Sequence, residues 1–219
     1  KKDTIGNKIP MNKKKSNDRK LIICEINKAA QLYKEHLVGR KFLYVFDGRY
    51  IEVCYKVENF RHLTGVETHL SAKRFYQFAV KLQSTQIYFT SKHPYKLCKR
   101  KIKHIGEIAS LASTENFMLE EISTNTKSYK FGSTNLNFTL CMNKEYDQNG
   151  QEKSECYIVE SLRDEDCFSK SRTAYEVSHI FSKDNVAKKY TDLLFMDSRS
   201  NMRELSDEIA SMIEDGLKF

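Results

Sequence analysis

The chain has 219 residues, enough to bury a core without disulfides or a structural metal, and its thirteen Phe, twelve Tyr and two Pro describe a folded, aromatic-rich protein. No apolar run approaches the roughly 20 residues that a membrane helix needs, and the basic N-terminal residues lack the apolar core of a secretory leader. The net charge of +8 favours anionic partners such as phosphate backbones.

Lys1–Lys20 carries eight Lys/Arg against two Asp and reads as a basic flexible tail. From there Leu21, Ile22, Ile26, Ala29, Ala30, Tyr33 and Leu37 recur at helical spacing, and Gly39 marks the stop. Lys41–Phe46 and Arg49–Lys56 are strand-like and flank Asp47-Gly48, a dipeptide suited to a tight hairpin turn. Next comes Asn59–Gly65 (NFRHLTG), and then a predicted helix over Leu70–Val80 with Ser71 as N-cap. A second helix is expected from Pro94 to Leu111, with Leu97, Cys98, Ile102, Ile105, Ile108 and Ala109 as its apolar stripe and the lysines opposite.

From Phe117 the pattern becomes strand-like, over Phe117–Ile122, Ser128–Phe131, Leu136–Met142 and Glu155–Glu160, with a turn at Asp147–Gly150. Tyr175–Ser182 suits one more strand or a short helix. A polar linker then leads to a C-terminal amphipathic helix near Met202–Ile213, acidic in Glu204–Asp215 and suited to partner docking or dimerisation. This order predicts an α+β protein in three parts: a tail over 1–20, a domain over 21–195 and a C-terminal helix within 196–219. No Gly-rich phosphate loop is present.

The six cysteines are scattered, with no C-x-x-C and no Cys/His pair at metal-ligand spacing, so a reducing, cytoplasmic setting and no metal site are expected. Positive charge is clustered instead. Lys92–His104 contains Lys92, Lys96, Lys99, Arg100, Lys101 and Lys103 with no acid among them.

Within NFRHLTG, His62 titrates near neutrality and suits general acid–base work, Arg61 suits a phosphate, and the Thr64 hydroxyl could orient it. The same residues equally suit a turn tied together through backbone hydrogen bonds. A later grouping runs from Ser161-Leu162-Arg163 through Lys170 to His179 and Ser182-Lys183, mixing hydroxyls and cations at strand ends.

Three segments, KFLYVFDGRYIEVCYKVENFRHLTGVETHLSAKRFY (Lys41–Tyr76), SLRDEDCFSKS (Ser161–Ser171) and YEVSHIFSK (Tyr175–Lys183), resemble the fourth of the phage barnase–EndoU–colicin E5/D–RelE-like nuclease families. The resemblance spans roughly Ile22 to Leu194. It implies a barnase/RelE-like fold, with N-terminal helices packed on a small antiparallel sheet and the C-terminal helix added. It also implies metal-independent, cofactor-free phosphate transfer to the ribose 2′-oxygen. His62 and Thr64 match the family's HLTG motif, while Arg163 and the Ser182-Lys183 pair match its later polar motifs. Arg61 departs from the family, where an apolar residue precedes the histidine.

On this reading His62 is the general acid or base, Thr64 and Arg163 hold the phosphate, and Lys73 or Lys183 stabilises developing charge. Arg61 and Ser182 contact substrate, and Lys92, Lys96, Arg100 and Lys103 guide the backbone of RNA or another nucleic acid. A second reading, from another class, is a non-catalytic phage or mobile-element protein that binds a host protein or ribonucleoprotein, for example to inhibit a defence system.

Overall fold

A computed structural model describes residues 11–217 of the chain, with side chains from residue 17 onward. The first element, α1 (Met11–His36), turns Ile22, Ile26, Ala29, Ala30 and Tyr33 into the main core, the stripe its spacing predicts. It begins well before Leu21, so the second half of the expected tail is helical. Asp18 in that stretch accepts a hydrogen bond from Tyr95 Oη at 2.5 Å. Residues 1–10 of the expected tail lie outside the described residues.

Strands β1 (Arg40–Phe46) and β2 (Arg49–Cys54) form the expected hairpin. Asp47 and Gly48 both adopt positive φ, 50° and 68°, as a two-residue turn between right-twisted strands requires. Because strand side chains alternate, β1 divides its apolar residues between two cores. Phe42, Tyr44 and Phe46 join the main core with α1, whereas Leu43 and Val45 join a smaller core on the other face.

Two helices follow, α2 (Phe60–Thr64) and α3 (Ala72–Val80), the latter N-capped by Ser71 through the Arg74 amide at 3.3 Å. The helix expected over Pro94–Leu111 is interrupted. It divides into α4 (Tyr95–Ile102), a 3₁₀ turn at Ile105–Glu107 and α5 (Ile108–Leu111). The break falls at Lys103–Gly106, where no apolar residue of the expected stripe except Ile105 is available to hold a regular turn against the core.

The remaining strands are β3 (Phe117–Ser123), β4 (Ser128–Thr134), β5 (Thr139–Asn143), β6 (Tyr157–Arg163), β7 (Thr173–Glu176), β8 (His179–Asp184) and β9 (Asp192–Met196). Among the described residues they make a nine-stranded sheet in the order β7-β3-β4-β5-β6-β2-β1-β8-β9. The protein is therefore α+β as expected, but its sheet is not small. The stretch expected as one element at Tyr175–Ser182 is split between β7 and β8, which lie far apart in the sheet. β9 lies in what reads as a polar linker, its apolar residues being only half-buried at the sheet edge.

All neighbouring strands are antiparallel except β2 and β6, which meet in a short parallel contact, Val53↔Tyr157 and Cys54↔Ile158. β6 begins where β2 ends and runs on beyond it, so α2, which leaves the end of β2, is laid beside the far half of β6. That placement positions the site.

The C-terminal helix is shorter than expected and its apolar side is already used. α6 (Asp207–Ser211) buries Ile209, and Ile213 beyond it, against Leu43, Val45, Phe181 and Tyr190. The Tyr190 hydroxyl donates to Glu52 Oε1 at 2.6 Å, fixing this layer to β2. The face expected for dimerisation is thus part of the chain's own second core. All six cysteines are free. No helix among the described residues is long and apolar enough to cross a membrane.

Candidate active site

The NFRHLTG segment is α2 with its two caps. Phe60 and Leu63, one helical turn apart, are fully buried, and burying each contributes about 1.5–3 kcal/mol to holding the segment down. Arg61 and His62 face outward from that anchor. Asn59 Nδ2 donates to the carbonyl of Val159 on β6 at 3.0 Å, at a point where β6 has outrun its β2 partner. Thr64 spends its hydroxyl locally, donating to Arg61 O at 2.7 Å and accepting from the Val66 amide at 3.3 Å. Gly65 ends the helix at φ +71°, and a Cβ there would sit 3.0 Å from Lys101 Cδ and 3.3 Å from Cys98 Cα. Glycine is needed twice over, for a left-handed C-cap and for the close approach of α4. Gly65→Ala is expected to cost about 1–2 kcal/mol from the left-handed backbone alone. Urea unfolding checks this, and the midpoint should fall with the slope unchanged.

What approaches through Gly65 is Lys101. It is 8% exposed, and its ammonium donates to the carbonyl of His62 at 2.7 Å. Burial and the neighbouring Arg163 guanidinium lower its pKa to about 8. His62 stands at the mouth of the same cleft, its ring making no hydrogen bond within the described residues. Partial burial, then the charges of Arg61 and Lys101, hold it below the usual imidazole value. His93 completes the group, with Nδ1 2.5 Å from Glu67 Oε1 in an ion-pair contact rather than an aligned hydrogen bond.

These residues line a cleft between α4, the end of β6 and the β3–β4 turn. An inner compartment of about 340 Å³ is lined by Asn59, His62, His93, Lys101 and Ser161. It adjoins an outer compartment, of about 650 Å³ and farther from His62, which shares His93, Lys101 and Ser161 and adds Lys92, Arg100 and Arg163. The carboxylates nearby are already engaged. Asp164 lies 2.7 Å from His104 Nε2 and 3.7 Å from Lys103, Glu165 lies 2.5 Å from Lys170, and Glu160 lies 2.6 Å from Lys127. Among the described residues Lys92, Arg100 and Lys101 have no carboxylate partner, so the cleft carries net positive charge. No group of three or more His, Cys, Asp or Glu among those residues is placed to hold a metal.

Of the expected site residues, the cleft brings together His62, Arg163, Lys92 and Arg100. Thr64 lies beneath it, tying the turn. Arg61 reaches the other way, to Leu70 O at 3.0 Å. Lys73 and Lys96 are exposed on α3 and α4 without lining the cleft, and Lys103 pairs with the lining residue Asp164 without lining the cleft itself. Lys183 and Ser182 are on β8, three strands from β6 in the sheet. There Lys183 donates to Lys188 O at 3.0 Å over the Tyr190 ring, and Ser182 accepts from Arg40 at 2.6 Å.

Lys101 and His93 belong to the basic segment recognised in the sequence but are not among its expected site residues. For Lys101 a signal existed: it stands three residues after Cys98 and beside Ile102, on the apolar stripe of α4, where a lysine has no ordinary reason to be. His93 precedes the helix in an irregular segment, and nothing in its neighbourhood marks it.

Residues 25–198 match the family model described as phage-Barnase-EndoU-ColicinE5/D-RelE like nuclease4. The chain belongs to this nuclease family. The matched span includes every residue lining the cleft and agrees with the extent of the resemblance seen in the sequence; α6 lies beyond it. No curated protein and no solved structure gave a significant match.

Proposed function

We propose that this domain cleaves RNA without a metal ion, transferring the scissile phosphate to the neighbouring ribose 2′-oxygen. The observation that carries the proposal is the meeting of His62 and His93 around the buried ammonium of Lys101 in a cleft whose carboxylates are all occupied. His62, neutral near pH 7, takes the proton of the 2′-hydroxyl, and the freed oxygen attacks phosphorus. Negative charge gathering on the phosphoryl oxygens is met by Lys101, with the Ser161 hydroxyl beside it. His93, its ring steadied by Glu67, gives a proton to the departing 5′-oxygen. The products are a 2′,3′-cyclic phosphate and a 5′-hydroxyl. Arg163, Lys92 and Arg100 hold the strand, and Thr64 contributes through the turn that aims His62.

The two shifted groups set a pH profile. The base His62 acts only when unprotonated, so kcat/KM rises as pH increases through its lowered pKa, below 6.5. The proton donor His93 and the cation Lys101 both act only when protonated, so kcat/KM falls at the latest as pH passes through about 8. Initial rates on an RNA oligonucleotide in excess EDTA are expected to trace this bell. A profile flat from pH 5 to pH 9, or cleavage that stops in EDTA, would overturn the proposal. Affinity for a single partner protein, with no cleavage of RNA or DNA under any condition, would favour the non-catalytic reading.

A further inference from the structure

The outer compartment is larger than the inner one, about 650 against 340 Å³, and shares Lys101 and Ser161 with it. Its chemistry differs as well. Among the described residues no histidine enters it beyond the shared His93, and its added cations are the two guanidinium groups of Arg100 and Arg163 together with Lys92 and Lys170, the last paired with Glu165. Arg163 projects from the end of β6 with its Nε shielded from solvent and lacking a hydrogen-bond acceptor. Its only carboxylate contact among the described residues is Glu165 at 3.9 Å, and Glu165 is itself drawn to Lys170 at 2.5 Å. A buried guanidinium N–H without an acceptor is costly unless something anionic supplies one, and a phosphate matches the planar fork of donors. Arg100 is exposed on the α4 side of the same space without a carboxylate partner.

We infer that the cleft takes two consecutive phosphates of one strand: the scissile one over Lys101 in the inner compartment, and a flanking one between Arg163 and Arg100 in the outer. This rests on the inner compartment being the cleavage site. It deepens that reading by making Arg163 a strand-anchoring residue that selects for chain length rather than a catalytic one. A dinucleotide with a single internucleotide phosphate leaves the outer compartment empty. A strand with a second phosphate on the matching side fills it.

Binding separates this inference from the cleavage reaction. The ligands are fluorescently labelled 2′-O-methyl oligonucleotides, which the proposed reaction cannot cut: a dinucleotide with one phosphate, and two versions with one more phosphate added at the 5′ or the 3′ end. The wild-type protein is expected to bind one of the two extended strands about tenfold or more tightly than the dinucleotide, the effect of one charged hydrogen-bonded contact. Arg163→Gln should remove that gain. Arg100→Gln, an exposed substitution that leaves β6 untouched, should reduce it, and Lys73→Gln, outside the cleft, should preserve it. Equal affinity for all three ligands, or a gain that survives both arginine substitutions, would overturn the inference. Failure of the wild-type protein to cut unmodified RNA while the affinity gain persists would instead overturn the cleavage reading and leave the two-phosphate cleft standing.

Discussion

His62→Ala is expected to lower kcat/KM for RNA cleavage by about 10²–10⁴-fold, the usual worth of a positioned acid–base group. Stability should change by no more than about 0.5 kcal/mol, because an exposed side chain without a partner is removed. The parts of His62 that matter to the fold are its backbone groups: the amide bonds to Asn59 O at 3.0 Å and the carbonyl accepts from Lys101 at 2.7 Å. Alanine keeps both. Steady-state rates and urea unfolding on the same preparation check the two halves together. A variant that is fully folded and cuts as fast as wild type would remove His62 from the chemistry.

The second large effect belongs to Lys101→Met, and it separates function from stability. Cleavage should fall by about 10²–10³-fold, as expected for losing a preorganised charge at the developing oxyanion. The fold should not weaken. An ammonium whose pKa moves from 10.5 to about 8 costs the folded state about 3 kcal/mol when charged. Its folded-state pKa lies below the unfolded one, so the unfolded chain binds more protons between those values and wild-type stability should rise with pH from about 8 to 10.5. Methionine fills similar space without charge, abolishing that pH dependence. The lost donor to the His62 carbonyl offsets part of the gain, by about 1 kcal/mol. Denaturant unfolding at pH 7 and pH 10 reads both effects. A variant less stable than wild type at pH 7 would show that the buried ammonium supports the fold.

The features legible in the sequence were those carried by local chemistry. Asp47-Gly48 specifies its hairpin, Ser71 its cap and Leu21–Leu37 its helix, because each needs only neighbouring residues. NFRHLTG presented two alternatives, a turn or a site; the structure shows the turn, and the site is what we propose. Thr64 and Gly65 build the turn, while His62 is what the turn holds out.

What could not be read depended on long-range pairing. Ser182 and Lys183 looked equivalent to Arg163 because both groupings end in hydroxyls and cations. Yet β8 pairs with β1, on the far side of β2, and a sequence pattern does not state which strands are neighbours. β9 lacks the in–out alternation of a packed strand because, at the sheet edge, it only half-buries its side chains. The C-terminal segment has a helical pattern, but Ile213 pairs with Tyr190 as a bridge, and packing on β1 and β8 decides its shape.

The proposed reaction turns on attack by a ribose 2′-oxygen, and one substrate tests it directly: a DNA oligonucleotide carrying a single ribonucleotide, incubated with the wild-type protein in EDTA. One cut is expected, on the 3′ side of the ribonucleotide, leaving a 2′,3′-cyclic phosphate that mass spectrometry identifies by its missing water. Cutting at deoxyribonucleotides, a linear phosphate as the first product, or cleavage only after adding a divalent metal would contradict it.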